Sequence, residues 1–218
     1  MTKDNTLFVK RIASIEGPKE VSSALAKAGV EYHAIDKLNW PNDFPYKPDV
    51  CFAIAHSSDA IILDFKVKED SVVAKYDSDK GHVWEDSCVE LFLSVDGKAY
   101  YNFEFNCIAT LYACYGPDRH DREFLSESSY KAVKRYASLG TKAFEEKECK
   151  EPWSLSVIIP VSALNKHEIK ALDNTNMKCN LQKCGDSLSK VHFLSYSAIL
   201  TAKPDFHRPE FFTDIHFE

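Results

Sequence analysis

The hydrophobic positions of this chain fall mostly on a two-residue period. From Asp49 onward the runs VCFAIAH, AIILDFKV, VVAKY, CVELFLS, YYNFEFN, TLYACY, WSLSVIIP, MKCNLQ, VHFLSYSAI and FFTDIHF are short and rich in β-branched and aromatic residues, and turn residues separate them. No strand–helix–strand alternation interrupts them. The pattern predicts an all-β fold, an antiparallel β-sandwich of jelly-roll type rather than a parallel sheet. One helical window stands apart: Val21, Ala24, Leu25 and Ala28 recur at helical spacing between Pro18 and Gly29, with Gly29 as the stop. It predicts a short helical N-terminal extension, residues 1–36, packing on a sandwich that spans 37–218.

The stretch from His82 to Asn106 reads as a hairpin with two unlike faces. Val89, Leu91 and Leu93 alternate with Cys88, Glu90 and Phe92, and Tyr101, Phe103 and Phe105 alternate with Asn102, Glu104 and Asn106, around a turn at Asp96-Gly97. With the apolar rows in the core, Glu90, Asn102, Glu104 and Asn106 share the opposite face, and Trp84 stands at its entry. Trp153 to Pro160 alternates as a core strand does. Residues 118–147 mix charges with a Tyr130, Val133, Tyr136 pattern compatible with helix or strand. They are expected to form a long excursion that walls one end of the polar face.

Charge narrows the partners. The 218-residue chain suits one domain, and its net charge of −6, with cations and anions interspersed, excludes a nucleic-acid partner that relies on clustered Lys and Arg. No apolar run reaches the ~18 residues of a membrane helix, and the N-terminus lacks the apolar block of a signal peptide, so no membrane span and a cytoplasmic location are expected. A secreted or periplasmic chain with its signal trimmed would read the same. Seven cysteines without a CxxC pair read as small buried hydrophobes in a reducing compartment. Cys179, Cys184 and His192 lack the paired spacing of a structural zinc site.

Sugar recognition needs an aromatic face for the C–H side of a pyranose and charged or amide groups for its hydroxyls. Trp84 and Glu90, six residues apart, supply both. Asp86, Glu90 and Glu104 allow a second reading, in which a Glu90/Glu104 pair performs glycoside hydrolysis. Arg119, His120, Asp121 and Arg122 form a charged loop suited to a rim that grips hydroxyls. Asp77, Asp79 and Gly81 hint at a calcium loop, but Gly is at the fifth position and Cys88 at the twelfth, so it is not an EF-hand. Haem ligation through Met177, the one internal methionine, has little support.

Four separated motifs carry a resemblance: W-E-D-S-C-V-E-L-F-L from Trp84, Y-Y-N-F-E-F-N-C-I-A-T from Tyr100, W-S-L-S-V-I-I-P from Trp153 and F-H-R-P-E-F-F from Phe206. In this order they resemble the family 9 carbohydrate-binding modules, in particular a stand-alone bacterial group. The resemblance runs from about Trp40 to the C-terminus. It implies non-catalytic binding of a mono- or oligosaccharide in polysaccharide catabolism, with a terminal sugar clamped between two aromatic rings. By it, Trp84 matches the first ring and Glu90 the glutamate, while Lys183 and Tyr196 fall where the family commonly has Arg and Trp. The expected ligand-binding set is Trp84, Glu90, Glu104, Asn106, Lys183, Tyr196 and Arg119. No cofactor is implied beyond a structural calcium among Glu69, Asp70, Asp77 and Asp79. A third reading keeps the sandwich for protein contacts, its sugar site decayed and an apolar patch exposed around Tyr196.

Overall fold

The computed structural model describes residues 6–218; residues 1–5 of the expected extension lie outside the described residues. In chain order the strands begin with β1 (Leu7–Arg11), β2 (His33–Ala34), β3 (Lys37–Leu38), β4 (Asp49–His56), β5 (Ala60–Lys68) and β6 (Ser71–Ala74). They continue with β7 (Cys88–Ser94), β8 (Tyr100–Asn106), β9 (Leu111–Gly116), β10 (Glu123–Phe124), β11 (Lys134–Ala137) and β12 (Phe144–Glu148). The last are β13 (Trp153–Pro160), β14 (Thr175–Cys184), β15 (Phe193–Ser195) and β16 (Thr213–Phe217), and two short helices, α1 (Val21–Lys27) and α2 (Glu127–Ala132), accompany them.

Two antiparallel layers form the sandwich. One runs β10-β9-β8-β7-β14-β16 and the other β4-β5-β13-β11. Strand β1 joins them, pairing in parallel with β16 through residues 7–9 and with β4 through residues 10–11. Leu7–Arg11, within the expected extension, thus form a strand at the seam of the two sheets.

The hairpin's alternation is borne out. Val89, Leu91, Leu93, Tyr101, Phe103 and Phe105 pack with Phe52, Phe65, Leu155 and Val157 in the central core. Each large apolar side chain so buried contributes roughly 1.5–3 kcal/mol. Trp153 to Pro160 is a core strand, as the sequence predicts.

Helix α1 follows a 3-10 turn at Pro18–Glu20 and ends at Gly29, whose φ of +66° lets Val30 N–H return to the Leu25 carbonyl at 3.0 Å. Its Val21 and Leu25 bury against Ala53, Ala55, Ile62 and Ile158 on the outer face of the second sheet.

The ambiguous pattern in 118–147 is a helix followed by a strand. Ser126 caps α2, Tyr130 donates its hydroxyl to the Ala113 carbonyl at 2.9 Å, and β11 then pairs with β13.

Both faces of β7 and β8 are buried. Phe92 and Tyr100 on the outer face are covered by Phe212 and His207, in a second apolar cluster that also holds Trp40 and Phe206. The expected open polar face is therefore the floor of a roofed site. No helix among the described residues is long and apolar enough to cross a membrane.

Candidate functional site

Three strands supply the floor of that site. In register, Gln182 of β14 faces Glu90 of β7, Glu90 faces Glu104 of β8, and Glu104 faces Tyr112 of β9. Polar side chains thus cross four strands in one row. Above it lies a cavity of about 270 Å³ lined by Trp84, Glu90, Glu104, Arg119, Arg122, Cys184, Asp186, Phe193, Phe206 and His207, with Pro204 and Asp205. Typical small-molecule sites span about 300–1,000 Å³, so this one suits a single small ring. It shares Arg119, Pro204, Asp205 and His207 with a wider groove that also reaches Asp118 and Lys203.

Trp84 is held by the turn that carries it. This 3-10 turn, Val83–Glu85, buries Val83, and Asp86 after it accepts from the amides of Lys75 at 2.8 Å and Tyr76 at 3.1 Å. His82 stacks on the indole with centroids 4.5 Å apart, and Tyr112 meets it edge-on at 5.1 Å. Phe193 and Phe206 pack edge-on at 6.0 Å and bring a second aromatic surface to the cavity.

The cations come from the loop after β9. Arg122 points Nη1 to Glu104 Oε1 at 3.4 Å and lies 5.3 Å from the Tyr112 ring centre. Gly116 makes this possible: a Cβ there would lie 2.1 Å from the Asp121 carbonyl oxygen and 2.6 Å from Arg122 Cα. Arg122 Nη1 also lies 3.4 Å from His207 Nε2, and Tyr100 Oη lies 2.8 Å from His207 Nδ1. Guanidinium only donates, so Nε2 accepts and Nδ1 carries the proton toward Tyr100.

Burial sets the charges. Glu90 is pushed well above the usual carboxylate range, first by desolvation and then by the Glu104 charge beside it. Glu104 is raised by desolvation too, opposed by Arg122. Asp186 rises to about 6 through burial, and His207 falls to about 2 through burial and the neighbouring Arg122, which keeps it neutral. Glu90 Oε1 takes the Cys184 thiol at 3.2 Å, whereas its Oε2, Asn102 Oδ1 and both amide atoms of Gln182 are buried with no hydrogen-bond partner in the protein. Such groups cost about 1–3 kcal/mol each, and Glu90, the one of them that lines the cavity, offers its Oε2 to a ligand hydroxyl.

Of the residues expected from sequence, Trp84, Glu90, Glu104 and Arg119 meet at this cavity, while Asn106, Lys183 and Tyr196 do not. Asn106 is fully engaged: its amide donates to the Tyr76 carbonyl at 2.6 Å and Asp86 Oδ2 at 2.9 Å, and its oxygen accepts from Thr110 N–H at 2.9 Å. It fixes the Trp84 turn from below. Lys183 faces the core because strand parity pairs it with Val89, not Glu90. There, at 0 % exposure, its Nζ meets Glu69 Oε2 at 2.9 Å, His192 Nε2 at 2.7 Å and the Cys184 carbonyl at 2.8 Å. Tyr196 packs edge-on against Phe52 at 5.1 Å and His33 at 6.0 Å, half-buried against the central core on the other side of the sheet.

The acidic residues expected as calcium ligands do not fit that ion as a group. Both oxygens of Asp79 take Arg135, at 2.7 and 2.9 Å, Asp70 pairs with Lys190, and Glu69 is turned inward. Asp77 is exposed and takes the Ser78 hydroxyl at 3.5 Å; it shares a surface groove with Asp79, whose two oxygens are already committed to Arg135.

Sequence reasoning missed Tyr112, Asp186, Phe193, Phe206 and His207. For Tyr112 a signal existed, since alternation in TLYACY puts it on the Glu104 face. The others arrive from loops or a three-residue strand, where no period operates.

The family model for carbohydrate-binding family 9 matches residues 19–217. A crystal structure of a proposed carbohydrate-binding protein from Bacteroides uniformis is 44% identical, with a TM-score of 0.93 over 98% of this chain and 99% of that one. A family 9 module from Caldicellulosiruptor kristjanssonii in complex with glucose is 12% identical, with a TM-score of 0.61 over 98% of this chain and 96% of that one. The same organism's family 9 module in complex with cellotriose gives 13% and 0.60, over 98% and 94%. At such identity these last two share the fold alone. No curated protein matches significantly.

Proposed function

The chain belongs to carbohydrate-binding family 9, and from that premise we propose that it binds a mono- or short oligosaccharide in the Trp84–Glu90 cavity without chemical change. Trp84 lies against the C–H face of one sugar ring, with Phe193 and Phe206 closing the cavity. Glu90 and Glu104 accept from neighbouring hydroxyls, and Arg119 and Arg122 donate to ring and hydroxyl oxygens. The observation that carries the reading is Glu90 Oε2, a buried acceptor without a protein partner, on the floor of a ring-sized cavity walled by aromatic side chains. The structural relatives' complexes with glucose and cellotriose support a neutral sugar as the ligand class.

Hydrolysis fits less well. Glycosidases pair one raised acid with one carboxylate that stays ionised, whereas desolvation raises both Glu90 and Glu104. The test is calorimetric titration with glucose, xylose, cellobiose and cellotriose beside the Trp84→Ala variant. Saturable heat that disappears in a folded variant is expected; no heat from any of these with the wild type refutes the proposal.

A further inference from the structure

The cavity floor holds a second set of donors that sugar binding leaves unexplained. Cys88 of β7 and Cys184 of β14 are directly opposed across the strand pair, and both point to the Glu90 carboxylate. Cys184 Sγ lies 3.2 Å from Glu90 Oε1 and Cys88 Sγ 4.0 Å from the same oxygen. The three ligand atoms lie within 4.8 Å of one another, and among the described residues no other group of three such side chains is so gathered. Zinc bonds of about 2.3 Å to sulfur and 2.0–2.2 Å to oxygen put tetrahedral donors roughly 3.5–3.8 Å apart. The observed sulfur-to-oxygen separations of 3.2 and 4.0 Å lie on either side of that spacing.

We propose that Cys88, Cys184 and Glu90 form a site for one thiophilic divalent cation of the zinc class, with its fourth coordination position facing the cavity. The donor set is two sulfurs and one oxygen, which favours zinc over the oxygen-seeking calcium. Cys184 and Glu90 line the cavity and provide an entry path, and the unpartnered Glu90 Oε2 gives the carboxylate freedom to turn its other oxygen to the ion. Two thiolates and a carboxylate around a divalent ion leave one negative charge, and Arg119 and Arg122 line the same cavity. The two cysteines with Glu90 come from neighbouring strands that are distant in sequence, so no CxxC spacing announces them. Cys179, five residues before Cys184 on β14, faces the central core and takes no part. The proposal does not depend on the sugar reading.

The test uses the full chain, reduced and metal-free under anaerobic conditions, with Co²⁺ as the probe and Zn²⁺ as the competitor. Expected are one equivalent of Co²⁺ per chain, a sulfur-to-cobalt charge-transfer band of two-thiolate intensity, and its loss on adding Zn²⁺. Cys184→Ser and Cys88→Ser should each halve or abolish the band and weaken Zn²⁺ by more than the roughly 10–100-fold that loss of an outer-sphere partner costs. Cys179→Ser should leave both unchanged. Because the site variants alter buried positions, the wild-type band is decisive alone: no charge-transfer band at one equivalent, or one untouched in a folded Cys184→Ser chain, overturns the site.

Discussion

Replacing Glu90 by Gln separates function from stability at one buried position. The carboxylate is buried, its Oε2 is unpartnered, and burial together with Glu104 raises its pKa in the folded chain. A sugar hydroxyl pair donating to it makes charge-assisted hydrogen bonds worth about 1.5–3 kcal/mol, and tenfold in affinity corresponds to about 1.4 kcal/mol. Glu90→Gln should therefore weaken sugar binding roughly ten- to hundred-fold. Folding behaves oppositely. A carboxyl whose folded pKa exceeds its unfolded value favours the fold below the unfolded pKa, near 4.5, and loses that contribution as pH rises through the folded value. Glutamine does not titrate, so the variant should melt at or above the wild type at pH 8, and its relative advantage should shrink toward pH 4. Titration calorimetry and thermal unfolding in chelator-treated buffer read the two effects. An unchanged dissociation constant refutes the reasoning, as does weaker binding accompanied by a lower melting temperature at pH 8.

The same raised carboxyls predict that sugar affinity climbs with pH above about 4.5 and levels off once Glu90 and Glu104 are ionised, since the hydroxyl donors prefer the charged form; titrations from pH 5 to 8 would contradict this by showing a flat or falling affinity. Gly116→Ala should push the Asp121–Arg122 backbone away, cost about 1–3 kcal/mol in chemical denaturation and weaken sugar binding several-fold; unaltered binding would remove Arg122 from the site. Lys183→Met leaves Glu69 without its ion-pair partner and should cost about 3–5 kcal/mol, most of it recovered in a Glu69→Gln/Lys183→Met double variant, with sugar affinity in the folded double variant within about threefold of wild type. Tyr196→Phe should leave the sugar dissociation constant unchanged, because that ring packs against Phe52 and His33.

Strand period carried most of the fold. Ten alternating runs are strands, and the two faces of β7 and β8 were legible because side-chain direction in a strand is fixed by parity. β1 was not, since LFVKR is short, ends in two charges and gains its place only from β16 and β4 on either side. Within the site, Trp84, Glu90 and Glu104 lie in the continuous hairpin text. The closing residues do not: Phe206 and His207 reach the cavity through a loop, His207 packing over Phe92 and Tyr100 and Phe206 against Trp40 and Phe193. Lys183 and Tyr196 were placed by spacing in a resemblance, and one strand position decided the outcome, since Gln182 rather than Lys183 stands across from Glu90. The cysteines show the same limit. Cys88 and Cys184 are 96 residues apart in the sequence and neighbours only through the β7–β14 register.

A crystal structure of the protein soaked with the tightest-binding sugar of the panel localises the ligand directly. One sugar ring should lie against Trp84 with hydroxyls within hydrogen-bond distance of Glu90 and of Arg119 or Arg122; a sugar seated away from this cavity, or density there that is unchanged in crystals of Trp84→Ala, would contradict the binding site proposed for this chain.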